Sequence, residues 1–308
     1  MKKILFATTA LIATAGVAAA DVTFGGYGRF GLRYDDSADK ETFLESRFRM
    51  NVDVSAETDG GVRFSARVRI QSDDNGDNTA DNAGINAPRF SVEFEGLRVD
   101  VGNAAGAIDN LPNYFGFEPG LSNFIGHYSG VDYDFTGYAS QSGCDAASDF
   151  TVTSGTGTTA TTGTSTFDPP ICVDDSEDQT VYARYAVGAF AVAASYTDNA
   201  DERYDLHFAY SGDNWTGALA YGSNNEDQDI VVATGNIDLG AINATLFLGT
   251  EDLNDDATDG TFYGVSAEYE LGAATTIGFS YGDGEADNDT EQYGIGFIHD
   301  LGGGVTIR

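Results

Sequence analysis

Val22-Thr23-Phe24-Gly25-Gly26-Tyr27-Gly28-Arg29-Phe30-Gly31-Leu32-Arg33-Tyr34 sets the even positions, Val, Phe, Gly, Gly, Phe, Leu and Tyr, against odd positions that carry Arg29 and Arg33. A period of two puts successive side chains on opposite faces of an extended strand. Ser46–Glu57 repeats the pattern, with Phe48, Met50, Val52, Val54 and Ala56 on one side and Arg47, Arg49, Asn51, Asp53, Ser55 and Glu57 on the other. Val62–Asp73 does so again, Val62, Phe64, Ala66, Val68 and Ile70 facing away from Arg63, Ser65, Arg67, Arg69 and Gln71. A soluble sandwich also alternates. Here the apolar face continues through strand after strand behind an export signal, so we expect a barrel with lipid outside and charged water inside.

The export signal is residues 1–20: Lys2 and Lys3, an apolar run from Ile4 to Val17, and Ala18-Ala19-Ala20 before Asp21. The run is too short for a comfortable spanning helix, which needs roughly 20 apolar residues. No later segment qualifies either. A membrane location therefore requires a closed barrel, because only helices and closed barrels satisfy their backbone in lipid. Removing Lys2 and Lys3 takes the formal charge from −34 to −36. Nucleic-acid binding needs a basic footprint, so that class is excluded. We read residues 21–308 as one all-β domain, because no linker separates two cores. Cys144 and Cys172, in one loop-like region of an exported chain, are expected to form a disulfide. Closing a loop of that size stabilises by roughly 3–4 kcal/mol in the chain-entropy model.

Alternation continues at Arg89–Glu95 and Leu97–Val101, then stops for about seventy residues. A structureless span of that length marks a functional loop or disorder rather than an ordinary connection. Residues 103–178 are that segment. Its Thr/Gly-rich tract, Thr151–Thr166, reads as a flexible insertion, whereas Phe115, Phe117, Phe124, Tyr128, Tyr133 and Phe135 give Ala104–Tyr138 enough apolar area to pack. Strands resume at Thr180 and run to Leu301, with Asp229–Leu239 ambiguous in its faces. Short turns at Gly60-Gly61, Gly188, Gly240 and Gly272 alternate with long acidic loops, the habit of outer-membrane barrels. Fourteen strands and the start of another at Val305–Arg308 are legible. Single-chain bacterial barrels have even strand numbers, so we expect sixteen in the complete protein and a chain truncated at its C-terminus.

Val22–Tyr34, Ser46-Arg47-Phe48-Arg49 running into Ser55–Gly61, Tyr185–Tyr196 and Leu301-Gly302-Gly303-Gly304 resemble general porins of the Rhodobacter type, a family of alphaproteobacterial outer-membrane proteins. The resemblance covers both ends of the mature chain and is weakest over Asn103–Asp178. It implies a sixteen-stranded homotrimeric barrel whose third loop folds inward to narrow the pore. The aromatic residue that usually ends such chains is absent here.

Nine arginines lie between Arg29 and Arg98, all on the polar parity. Avoidance of lipid explains the parity, since Arg at the midplane of a barrel costs about 2–4 kcal/mol. It does not explain their clustering on consecutive strands, which points to a positive wall in the pore. Arg29, Arg47 and Arg63 are the first candidates for its waist, and Arg33, Arg49, Arg67 and Arg69 the second, because one strand cannot hold every arginine at one height. Asp109, Glu118, Asp132 and Asp134 supply the opposing acids. Charged rings tune selectivity and diameter limits size, so polar solutes are favoured over greasy ones. The net acidity leads us to expect a cation preference. Asp73–Asp81 and Asp252–Asp259 lack the ligand order of a calcium loop. His127, His207 and His299 have no metal spacing, and no catalytic signature appears. We therefore expect no cofactor and no enzymatic turnover, with lipid, ions and small hydrophilic solutes as partners. The competing class is a secreted β-rich binding or adhesion protein.

Overall fold

The computed structural model describes residues 20–34, 36, 41–74, 84–117, 126–133, 149–154, 161–166, 179–198, 202–254, 259–285 and 291–308. The export signal through residue 19, Glu118, Asp134, Cys144 and Cys172 lie outside them.

Extended, β-branched and aromatic-rich segments form the strands. The first six are β1 (Asp21–Tyr34), β2 (Thr42–Glu57), β3 (Arg63–Asp74), β4 (Gly84–Ile85), β5 (Arg89–Phe94) and β6 (Leu97–Gly102). A hairpin of β7 (Asp149–Ser154) and β8 (Thr161–Thr166) follows, then β9 (Gln179–Val187), β10 (Phe190–Asp198), β11 (Arg203–Ser211) and β12 (Trp215–Ser223). The last six are β13 (Asp229–Asp238), β14 (Ile242–Asp252), β15 (Gly260–Glu270), β16 (Thr275–Gly284), β17 (Gln292–Gly302) and β18 (Val305–Ile307). Sixteen of these make one antiparallel sheet in chain order, with β4 pairing beside β3 and β7–β8 forming a sheet of their own. That small hairpin stands in the Thr/Gly tract expected to be irregular. Threonine's β-branched side chain favours extended backbone, and the tract's lack of apolar alternation hid it. Among the described residues no helix is long and apolar enough to cross a membrane.

The two faces of the sheet are chemically distinct. Phe30, Leu32 and Ile295 are 81, 76 and 78% exposed, and large apolar side chains stand outward on strand after strand. On β11 Tyr204, Leu206 and Phe208 are exposed, while Arg203, Asp205, His207 and Ala209 are buried on the other face. A soluble sandwich buries its apolar face; this sheet exposes it, as a wall in lipid does. The inner face of β10–β16 is covered by residues 104–117 and 126–133, in the segment after β6. Ile108, Leu111, Tyr114 and Tyr133 pack there with Ala209, Ala218, Ala220, Ile230, Val232, Phe247 and Phe262. This resolves β13. Ile230 and Val232 point inward, but against Ile108 and its neighbours rather than water, so both faces of that strand read as apolar.

Leu206→Arg, on the exposed face in the middle of β11, is expected to destabilise the folded protein in lipid by about 2–4 kcal/mol. Urea titration of protein refolded in vesicles checks this, and an unchanged midpoint would contradict the outward placement.

Candidate functional site

Strand register decides which arginines meet. Arg29 faces Arg47 across β1–β2, and Arg47 faces Asp73 across β2–β3 and is ion-paired with it. Arg33 faces Phe43, with its guanidinium carbon 5.5 Å from that ring. Arg63 stands beside the Gly60-Gly61 turn, opposite Glu57 and Glu93. The three first candidates are thus split between two levels of the wall.

Between those levels lies a cavity of about 300 Å³. Arg49, Arg67, Arg69 and Arg89 border it from the sheet, with Asn86 and Ala87, while Asn103, Ala105 and Asp109 border it from the covering loop. Arg49 donates from Nε to Gln71 at 2.5 Å, and its guanidinium carbon lies 5.3 Å from the Tyr27 ring centre. Arg67 donates from Nε to Asp53 at 2.6 Å. Arg89 is the addition to the residues singled out from sequence. Its parity, opposite Phe90, Val92 and Phe94, already placed it on this wall, but strand register was needed to set it beside Arg67. Asp132 does not border the cavity; its backbone N–H donates to the Glu251 carboxylate at 3.0 and 3.2 Å, on β14.

The position of Asp109 depends on how the loop is held. Ala107 N–H donates to Ser195 Oγ at 2.8 Å, Ser195 donates to Asp205 at 3.1 Å, and His207 Nδ1 donates to the Ala107 carbonyl at 2.6 Å. Further along, Thr234 donates to the Pro112 carbonyl at 2.7 Å and Tyr133 N–H donates to Glu251 at 3.0 Å. His127 sits in a single 3-10 turn, Gly126–Tyr128. Its Nε2–H donates to the Tyr114 carbonyl at 2.8 Å, which leaves Nδ1 to accept from the Ser266 hydroxyl at 3.2 Å. A side chain at Gly264 would lie 1.8 Å from the His127 carbonyl oxygen, so this strand position needs glycine for the loop to seat. These anchors escaped the sequence reading, where the histidines were weighed as metal ligands. The available signal was polar residues and glycine on the inner parity of β10–β15. Among the described residues no group of three or more His, Cys, Asp or Glu is placed to hold a metal.

The chain is similar to known proteins in family, sequence and structure. The family model described as Gram-negative porin matches residues 7–308. A porin of Fuscovulum blasticum is 29% identical over 296 residues, covering 90% of this chain and 99% of that protein. A triple mutant of Rhodopseudomonas blastica porin has a TM-score of 0.67 at 21% identity, covering 93% of this chain and 92% of that one.

Burial pushes the His127 imidazole below its ordinary value, so the docked loop holds it neutral. The undocked loop binds the proton more readily, and docking therefore loses stability as pH falls below about 6.5. Hydrogen exchange across residues 107–133, corrected for its intrinsic pH dependence, is expected to speed up between pH 7 and pH 5. Equal protection at both values would contradict the role given to His127.

Proposed function

Because the chain belongs to the Gram-negative porin family and forms an outer-membrane channel for passive diffusion of ions and small hydrophilic solutes, we propose that its waist lies between the arginines of β2, β3 and β5 and the loop carrying Asp109. The observation that supports this is the shared cavity of Arg49, Arg67, Arg69 and Arg89 with Asp109. Fixed cations facing an acid set a transverse field, which orders water and dipolar solutes and makes apolar ones unwelcome. Arg29, Arg33, Arg47 and Arg63 line the approaches on either side. Glu118, Asp132 and Asp134 add negative charge to the same loop, which spans residues 103–178 and has its insertion closed by Cys144 and Cys172.

In this reading nothing is chemically transformed: solutes are selected by size and charge alone. Residues 1–20 direct export and are removed, and the mature chain assembles as a homotrimer. The secreted alternative has no support in the family match, and the exposed apolar face of the sheet counts against it.

Charges at a waist act within a Debye length of the passing ion, about 10 Å at 0.1 M salt, whereas the acidic outer loops are more strongly screened. Replacing Arg49, Arg67 and Arg69 together by alanine is expected to shift the reversal potential in a salt gradient toward cation preference. Asp109→Asn is expected to shift it the other way. Planar-bilayer recordings measure both, and two unchanged potentials would place the waist elsewhere.

A further inference from the structure

We propose that the arginine cavity retains phosphate-bearing solutes, holding a dianionic oxyanion between Arg67 and Arg89 as it passes. The inference rests on the reading of this wall as pore lining and adds a preferred ligand class to it. Four guanidinium groups border the space, and Asp109 is the carboxylate among the described residues that border it with them. The lining is therefore strongly positive within a chain that is acidic as a whole.

Two further observations point to an anion rather than to bare solvated charge. Arg67 and Arg89 are direct cross-strand partners, an arrangement in which like charges destabilise the sheet. The acids nearby compensate it incompletely. Asp53 takes the Nε of Arg67, and Asp100 on β6 is committed to Arg98 at 2.9 Å. The Nε of Arg89 is buried with no acceptor among the described residues, so no acid holds this guanidinium through Nε and its terminal nitrogens are the ones that can meet a solute. Arg49 and Arg67 are each anchored through Nε along the wall, to Gln71 and Asp53. Anchoring through Nε fixes a guanidinium plane while leaving its terminal nitrogens for another acceptor.

An oxyanion between the forks answers both demands. It lies between two facing positive charges and supplies acceptors to planar donors. Guanidinium groups match carboxylate and phosphate oxygens in pairs, and such charge-assisted bonds are about twice as strong as neutral ones. Phosphate has enough oxygens to meet two forks at once, whereas a single carboxylate satisfies one. Hence the chemistry favours phosphate and phosphomonoesters over simple monocarboxylates. A weak site of this kind raises the local concentration of its solute without closing the pore, since conduction needs binding loose enough to release.

The test uses the full mature protein in planar bilayers at constant ionic strength, with inorganic phosphate replacing chloride at about pH 8 and acetate as the comparison anion. Open-channel current in chloride is read first, and its absence would sink the pore reading itself, independently of any anion. Given current, phosphate is expected to reduce it saturably at concentrations where acetate does not. Arg67→Ala and Arg89→Ala are each expected to raise the half-blocking concentration about ten-fold or more, the scale of one lost charge-assisted bond. Arg89→Lys keeps the charge but loses the fork and is expected to fall between, which preserves the test if an alanine variant fails to insert. Arg184→Ala, on β9 opposite Arg98 and outside the cavity, is expected to leave the block unchanged. Equal effects of phosphate and acetate, or a block indifferent to Arg67 and Arg89, would overturn the retention site.

Discussion

The structure depends on one constraint: an extended chain in hydrocarbon must pair its backbone with neighbouring strands and show apolar side chains to the lipid. With a two-residue period, every second residue is then committed to the outer face. The remaining half meets water or the loop, and there the chain is at liberty to carry charge. Leu206 and Phe208 on β11 are the committed half; Asp205 and His207, between and beside them, are the half that does the anchoring. Placing the arginines inside is one consequence of this division, and holding the loop is the other.

The loop turns a lined tube into a site. Ser195, His207, Thr234 and Glu251 each hold a backbone group of residues 107–133, so the loop is fixed by its main chain more than by its side chains. Its apolar residues bury themselves against a patch of wall that would otherwise face water. Asp109, two residues beyond Ala107, is thereby set against the arginines of the neighbouring strands. A change at Gly264 or His127 acts on the position of the loop through this seating.

Much of this was legible in the sequence, for physical reasons that differ from strand to strand. β1, β2 and β3 declare their faces because one side meets lipid and the other water, which forces clean alternation. β13 does not, since Ile230 and Val232 face a dry loop. Residues 104–117 and 126–133 have no period to read, because irregular backbone is specified by its partners. The heights of the arginines were hidden for a related reason. Parity assigns Arg63 and Arg67 to one face, but cross-strand register puts Arg63 opposite Glu57 and Glu93 and Arg67 opposite Asp53 and Arg89. A waist is a property of several strands and a loop together, and single-strand patterns carry no information on how they align.

The assignment of faces is best tested by single-cysteine labelling along β3, with Cys144 and Cys172 replaced by serine and the protein reconstituted in vesicles. A water-soluble thiol reagent is expected to label cysteines at positions 65, 67, 69 and 71, and to spare those at 64, 66, 68 and 70. Labelling in the opposite phase, or at equal rates along the strand, would contradict a wall with lipid on its apolar side and water on its arginine side.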